Sequence, residues 1–491
     1  MAALLRFRDL ATRGTWDGDQ GHDMLTWLGM VRDGTIPLLG PPTSIGDFHH
    51  GALYYYLLAP AAALGGGLDP TTVVAGIALA GTAAVGVTWW LARAIGGPIA
   101  AVVAGLLFAV SATAIEGSTF IWNPNLIALS SAVALACAWR ARAGGHPAWW
   151  LGAAAGTAVT MQCHVLGIIL LPVVVGLWLS DLRRRSGDAR RGLLVAGFGG
   201  VALVAVTYVP LAIHELTTGF AELGAALDYL RTGGVEATLD PITRLLVVTI
   251  RTIAWPLVGL FIDALPLAVA ATALVIASAA ARSLRARDPE RRGARWLGAG
   301  LAWSVVALSF AAGSLTTVVR ALPVDHYHAF VDPIVIVVAA LGIAATYRRN
   351  VLGRAAAVVV TAGLVAWNLA IAPSAVHPDG GYAAALTAAE RVRATTGERP
   401  IAVVGLPEVK PRDGLLYPLT VLGADLVEPG GASLPADTWL VVMCDDRFHE
   451  AIGARCDGPA EDAVAAGGAL IDRFEAQPDR WVSIYGPSTL A

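Results

Sequence analysis

Trp16-Asp17-Gly18-Asp19-Gln20-Gly21-His22-Asp23 begins a stretch that continues through Pro37-Leu38-Leu39-Gly40-Pro41-Pro42 and Gly46-Asp47-Phe48-His49-His50-Gly51-Ala52-Leu53-Tyr54-Tyr55-Tyr56 to Pro60. Acids, histidines and aromatics crowd together here, ahead of about 300 mostly apolar residues. Loops of this length in compact proteins are mostly functional or disordered. Asp17, Asp19 and Asp23 repel one another unless something uses them. The stretch reads as the working surface of a membrane enzyme, within a polar first loop of about residues 16–69.

The surrounding composition supports that setting. The 491 residues are 56% hydrophobic and 14% charged, with a mean hydropathy of +0.63. Soluble domains carry about 25% charged residues. The net charge of −3 hides a split. Residues 373–491 hold 17 acids and 9 bases, whereas residues 1–372 hold 20 acids and 25 bases. Neither part has the basic surface of a nucleic-acid binder. The expected fold is a polytopic α-helical membrane protein with a long outer first loop and a small C-terminal α/β domain. The expected domains are 1–372 and 373–491.

Ten runs suit spanning helices, which need about 20 mainly apolar residues. They are Pro70–Arg93, Pro98–Ile115, Pro124–Arg140, Pro147–His164, Val165–Leu182, Gly192–Ile213, Phe261–Ala281, Trp296–Thr317, Phe330–Tyr347 and Val351–Ala372. Residues 51–66 and 241–256 are apolar but interrupted, by Pro60 and by Arg244 and Arg251. They read as helices lying along or dipping into the membrane surface. Arginine clusters fall in alternate loops, which become the cytoplasmic ones by the positive-inside rule. The other loops and everything after residue 373 then face outward, with nine of the ten histidines. Met1–Thr15 carries Arg6, Arg8 and Arg13 on that outer side, against the rule. Either a preceding helix is missing from the sequence or the segment lies at the surface; the missing helix is the preferred reading.

After residue 373 the pattern changes. Tyr382–Thr396 reads as a helix, Ile401–Gly405 and Trp439–Cys444 as strands, and Ala469–Glu475 with Arg480–Tyr485 as a hairpin. Cys444 and Cys456 lie 12 apart and suit a disulfide if this part is exported. Cys137 and Cys163 read as small buried hydrophobes.

Trp16-Asp17-Gly18-Asp19-Gln20, Pro37-Leu38-Leu39-Gly40-Pro41 and Gly51-Ala52-Leu53-Tyr54-Tyr55 resemble the first outer loop of protein O-mannosyltransferase-like and aminoarabinose-transferase-like enzymes. These are GT-C glycosyltransferases, which use polyprenyl-phosphate sugars. Trp122-Asn123-Pro124-Asn125, Gln162-Cys163-His164 before Leu170-Leu171-Pro172, and His326-Tyr327 ahead of Pro333 are similar to outer-edge elements of the bacterial members. The resemblance covers residues 16 to about 350. Two departures stand out: the family's leading helix is absent, and its usual Asp-Glu pair is Asp19-Gln20. The second carboxylate's role, if retained, falls to Asp17, Asp23 or Asp47.

The resemblance implies an inverting transfer of a hexosyl or pentosyl group on the outer face of a bacterial inner membrane. The donor would be a polyprenyl-phosphate sugar and the acceptor a lipid, glycan or protein of the cell envelope. Such a reaction needs a base for the acceptor hydroxyl, cations or N–H groups for phosphate, and an apolar groove for the lipid. Asp19 is the first choice for base, with Asp17 second; a helix cap at Asp19 is the structural alternative. The candidate substrate-binding residues are Asp23, Asp47, His49, His50, Tyr54, Asn123, Asn125, Gln162, His164, Arg320, Asp325, His326 and Tyr327. No cofactor is assigned; a divalent metal is left open, with His49 and Asp47 as its only candidate ligands. Capping of a helix start accounts for at least one of Asn123 and Asn125, and an interfacial aromatic belt for the Tyr54–Tyr56 run. The competing reading is a secondary transporter or flippase of a lipid-linked sugar. Transporters tend to show inverted repeats and midplane ionisable groups; here no repeat is found and polar groups gather at the outer edge.

Overall fold

The computed structural model describes residues 1–43, 48–231, 239–317, 325–408, 411–429, 437–465 and 468–487. Most of the chain is a bundle of apolar helices. The run Pro70–Val110 is two helices, broken at Gly97, whose φ of 81° suits a residue without a Cβ. The halves lie antiparallel: a Cβ on Gly105 would meet the Trp89 ring at 3.0 Å, and one on Gly81 would strike the Ser118 side chain. Ile127–Arg142, Trp149–Cys163, Val165–Leu182, Gly187–Thr207, Leu265–Arg285, Glu290–Ala311, Asp325–Tyr347 and Val351–Ala370 complete the bundle. Eight of the described helices are long and apolar enough to cross a membrane.

Arginines collect at one end. Arg142 and Arg185 share Asp181, at 2.9 and 3.0 Å. Arg282 and Arg348 share Glu290, at 2.8 and 3.4 Å. The Arg348 guanidinium also donates to the Gly96 carbonyl, at the turn of the helical hairpin.

Pro241–Val258 is long and apolar enough to span, yet among the described residues its hydrogen-bond and ring partners beyond its own turns lie at the other end. Arg244 sits over the Phe310 ring, 5.4 Å from its centroid. Arg251 reaches Asp325 and the carbonyls of Leu315 and Thr317. Val258 accepts from Trp367 and Leu257 from Asn368. The helix therefore lies across this end, as its two arginines suggest.

The same end is closed by two further pieces. Residues 16–69, expected as a polar loop, are mostly ordered. They form the Gly18–Arg32 helix, a small hairpin of β1 (Leu39–Pro42) and β2 (His49–Gly51), and the Leu53–Leu64 helix. The C-terminal part forms a mixed sheet of β3 (Ile401–Leu406), β4 (Leu426–Val427), β5 (Trp439–Asp445), β6 (Leu470–Gln477) and β7 (Arg480–Tyr485). Its strand order is β4-β3-β5-β7-β6, parallel on the β3 side and antiparallel around β7. The expected helix, strands and hairpin are all present; the short β4 was not foreseen. Cys444 and Cys456 form a disulfide, and Cys137 and Cys163 are buried thiols.

The C-terminal part meets the Gly18–Arg32 helix without room for side chains. A Cβ on Gly21 would lie 2.0 Å from the Asp413 carbonyl oxygen, and one on Gly414 would lie 3.0 Å from the Asp17 backbone. Trp16 donates from its indole to the Gly414 carbonyl at 2.8 Å, and Arg480 donates to the Trp16 carbonyl at 2.6 Å. Met1–Thr15 packs here too. Buried Arg6 donates to the carbonyls of Phe108 and Ala109, at the end of a bundle helix. Arg13 donates to those of Leu5 and Ser374.

Candidate active site

The Gly18–Arg32 helix positions the central acids. Asp17 is its N-cap: its carboxylate accepts from the Asp19 N–H at 3.0 Å, and the Gln20 side chain accepts from the Asp17 N–H at 2.8 Å. This reciprocal pair is a capping box. Asp17 also meets Arg480 at 3.3 Å. The cap considered for Asp19 thus belongs to Asp17, which is absent from the cavity wall. Gln20 stands where the resembled enzymes were expected to carry a second acid. Its amide also donates to the Ile121 carbonyl at 2.7 Å, which a carboxylate cannot do.

Asp19, His22 and Asp23 share one face of this helix, three and four residues apart. All three line a cavity of about 1120 Å³ between the bundle end and the C-terminal sheet. Asp19 is half-buried. Asp23 is fully buried and accepts from the Tyr54 and Tyr55 hydroxyls at 2.8 Å each. Burial pushes its pKa up to about 7, although both hydroxyls favour the charged form. Tyr54 is therefore a buried donor rather than part of an interfacial belt. His22 is held 3.0 Å from Asp413 of the C-terminal part; that hydrogen bond, against burial, raises the His22 pKa.

The β2 strand alternates its two histidines. His49 turns to Glu222, its backbone N–H at 2.6 Å and Nδ1 at 3.1 Å. His50 turns inward, where burial lowers its pKa to about 4 and keeps the ring neutral. Its ring centroid lies 5.6 Å from that of His164, which lies 5.3 Å from that of His326. Trp122 and Tyr327 pack on His326 at 4.2 and 4.5 Å. Among the described residues, no three His, Cys, Asp or Glu side chains form a group that would hold a metal.

The cavity brings together Asp19, Asp23, His49, His50, Asn123, His164, His326 and Tyr327 of the expected set. Asn123 is fixed by donating to the Cys163 carbonyl at 2.6 Å. Four others serve nearby. Tyr54 holds Asp23, as described. Asn125 donates to the Phe120 carbonyl at 2.8 Å. Gln162 accepts from the Leu53 N–H and donates to Thr207. Asp325 is closed in a bidentate pair with Arg251, at 2.7 and 2.8 Å, and accepts from His328 Nε2 at 3.2 Å. Asp47 and Arg320 lie outside the described residues.

Several lining residues were missed: Trp122, Tyr229, Arg244, Phe310, Glu408, Arg412 and Asp413. Arg244 matters most chemically. Among the described residues it faces no carboxylate, and its Nε is buried without a partner. Its signal was present, as a charge breaking an apolar run. Glu408, Arg412 and Asp413 carried no local signal, because they come from nearly 400 residues downstream.

Residues 49–209 match the model of the dolichyl-phosphate-mannose-protein mannosyltransferase family. No curated protein matches the sequence. Among solved structures, the chain resembles ArnT from Cupriavidus metallidurans bound to undecaprenyl phosphate. The TM-score is 0.64 at 15% identity, over 98% of this chain and 96% of that one. The archaeal oligosaccharyltransferase AglB from Archaeoglobus fulgidus, in complex with an inhibitory peptide and a dolichol-phosphate, gives 0.57 at 15% identity, over 98% and 73%. The chain has the GT-C fold. Within that GT-C fold, the carboxylates and Arg244, which has no counterion among the described residues, face one cavity at the end closed by the C-terminal part. A carboxylate and a cation in one cavity suit proton transfer and phosphate binding, and the apolar wall suits a lipid.

Proposed function

We propose that this chain is an inverting glycosyltransferase that moves a sugar from a polyprenyl-phosphate donor to an acceptor hydroxyl in the cavity. The observation that carries the reading is Asp19. It stands in the first turn of a capped helix, facing a cavity that also presents Arg244, an arginine with no counterion among the described residues. In the reaction the acceptor oxygen attacks the anomeric carbon from the face opposite the phosphate. The bond from that carbon to the phosphate oxygen breaks, and the polyprenyl phosphate leaves with the electron pair. Asp19 takes the acceptor's proton. Arg244 meets the developing phosphate charge. His50, kept neutral by burial, orients sugar hydroxyls rather than competing for the phosphate.

The site faces outward from a bacterial inner membrane in this reading. Residues 1–372 form the transferase bundle, and residues 373–491 roof the site and supply Arg412 and Asp413. The acceptor is a lipid, glycan or protein of the cell envelope. The test is transfer from labelled polyprenyl-phosphate sugars in membranes containing the full chain. The expected result is labelled product that falls sharply in Asp19→Asn. Equal labelling by wild type and Asp19→Asn would overturn the assignment of the base; no transfer from any such donor, by protein that binds it, would overturn the reaction.

A further inference from the structure

A second cavity, of about 520 Å³, opens at the arginine-rich end. It lies between Ile127–Arg142, Val165–Leu182 and Glu290–Ala311, whose opposite ends border the candidate active site. Along Glu290–Ala311 the nearest lining residues of the two cavities, Trp303 and Phe310, lie about 10 Å apart, whereas Arg295 lies about 22 Å from Phe310. The arginine mouth of the groove is therefore apart from the site already described, while its deep end approaches that site near Ile168 and Trp303.

Its lining divides by chemistry. Arg142, Arg184, Arg292 and Arg295 line the groove. Two have carboxylate partners, Arg142 with Asp181 and Arg292 with Asp288. Arg184 and Arg295 have no carboxylate partner among the described residues; the Arg295 Nε donates to the Ser283 carbonyl at 2.9 Å. Trp139, Trp296 and Trp303 line the same groove from the same helices. The Trp296 and Trp303 indoles donate to the carbonyls of Val173 and Ile169, at 3.0 and 2.9 Å. Trp139 is different: it is 3% exposed, stacked on Trp296, and its buried Nε1 finds no acceptor among the described residues. A buried donor without a partner is costly, so an acceptor supplied from outside the chain accounts for it.

We propose that this groove is a binding site for one anionic phospholipid. Its phosphate lies between Arg184 and Arg295, an acyl chain runs along the tryptophans, and an ester oxygen accepts from Trp139. The groove sits where spanning helices carry their arginines, the depth at which phosphodiester headgroups lie. Basic pockets between spanning helices hold anionic headgroups by the same electrostatics. The combination of unpaired cations, apolar wall and orphaned donor fits an amphiphile better than a free anion.

Native mass spectrometry of the delipidated full chain, titrated with phosphatidylglycerol or phosphatidylcholine in mixed micelles, tests this. Phosphatidylglycerol should bind at least about tenfold more tightly, and Arg184→Gln with Arg295→Gln should remove most of that preference. Glycerol phosphate should not compete at equal concentration. Equal binding of the two lipids, an unchanged preference in the double variant, or competition by glycerol phosphate would overturn the proposal. If the double variant fails to fold, wild type alone decides. Phosphatidylglycerol must then raise its melting midpoint more than phosphatidylcholine does, and equal shifts refute the site. Sugar transfer is not the readout, so failure here leaves the function assigned above untouched.

Discussion

Asp19, His22 and Asp23 on one side of the bundle end, and Arg251, Asp325 and His328 on the other, are built from similar residue types. Only the first group opens into the large cavity. The second is sealed: Arg251 and Asp325 are each 1% exposed and meet through two hydrogen bonds, with further carbonyls taking the remaining guanidinium donors. Four ionisable residues within eight, from Asp325 to Asp332, stand out in an apolar chain as strongly as the acids of the first loop do. Density of charge therefore marks where the fold spends polar groups, and accessibility separates chemistry from cross-bracing. The sealed group ties the helix lying across the bundle to the Asp325–Tyr347 helix, which places Arg244 over the cavity.

Breaking the sealed pair should have the largest effect. Arg251→Ala leaves Asp325 buried without its cation, a loss of about 3–5 kcal/mol. The chain should be recovered in poor yield with a strongly lowered melting midpoint. Replacing both partners, as Arg251→Met with Asp325→Leu, should restore much of that stability. A near-normal midpoint in Arg251→Ala would show that the second group is not a brace.

Asp23 sharpens the contrast, because it borders the cavity but is held by two tyrosines. Its folded pKa of about 7 lies above the ordinary carboxylate value of 3.8. The folded state thus holds a proton that the unfolded chain releases. The resulting stability is present below about pH 4 and is lost as pH rises through about 7, by up to about 4 kcal/mol. The melting midpoint should fall across that window in wild type and be flatter in Asp23→Asn. Identical pH profiles would remove Asp23 as the source.

Arg244→Gln should weaken the donor's apparent affinity by roughly 10–100-fold, the scale of one lost hydrogen bond to a charged group, with the fold intact. Binding of a polyprenyl-phosphate sugar by fluorescence competition checks this; unchanged affinity would hand the phosphate to another cation. The smallest effect belongs to Asp17. Asp17→Ala removes a cap and should cost about 1 kcal/mol in thermal stability, and a silent variant would show that Gln20 alone holds the helix start.

The bundle was readable because spanning helices need long apolar runs and arginine marks one end of them. Gly97, at the turn between the first two expected spans, shows how little else was needed. The Arg244 and Arg251 interruptions suggest a surface helix in the sequence, and Pro241–Val258 is one continuous helix that places both arginines at the end of the bundle opposite the Asp181 and Glu290 clusters. The C-terminal strands were readable from alternation and from the Pro478-Asp479 turn between β6 and β7. The candidate site was readable only in part. The sequence reading offers Asp19 as the possible helix cap, and the Asp17-x-x-Gln20 spacing of a capping box is the signal that would have given the cap to Asp17. That Arg251 would find Asp325, 74 residues away, and that Asp413 would reach His22 across 391 residues, depends on tertiary packing that no local pattern encodes. Ionisable residues at the bundle edge were therefore gathered as one class, although some face the cavity and others are sealed.

The central claim is that Asp19 acts as a base while Asp17, two residues earlier, caps the helix and meets Arg480. The direct measurement is the sugar-transfer rate of Asp19→Asn beside that of Asp17→Asn, with melting midpoints for both. Asn caps about as well as Asp, so both variants should keep the helix and melt near wild type. Transfer should fall roughly 10²–10⁴-fold in Asp19→Asn, the contribution of a positioned base, and stay close to wild type in Asp17→Asn. Near-normal transfer by a fully folded Asp19→Asn would contradict the account.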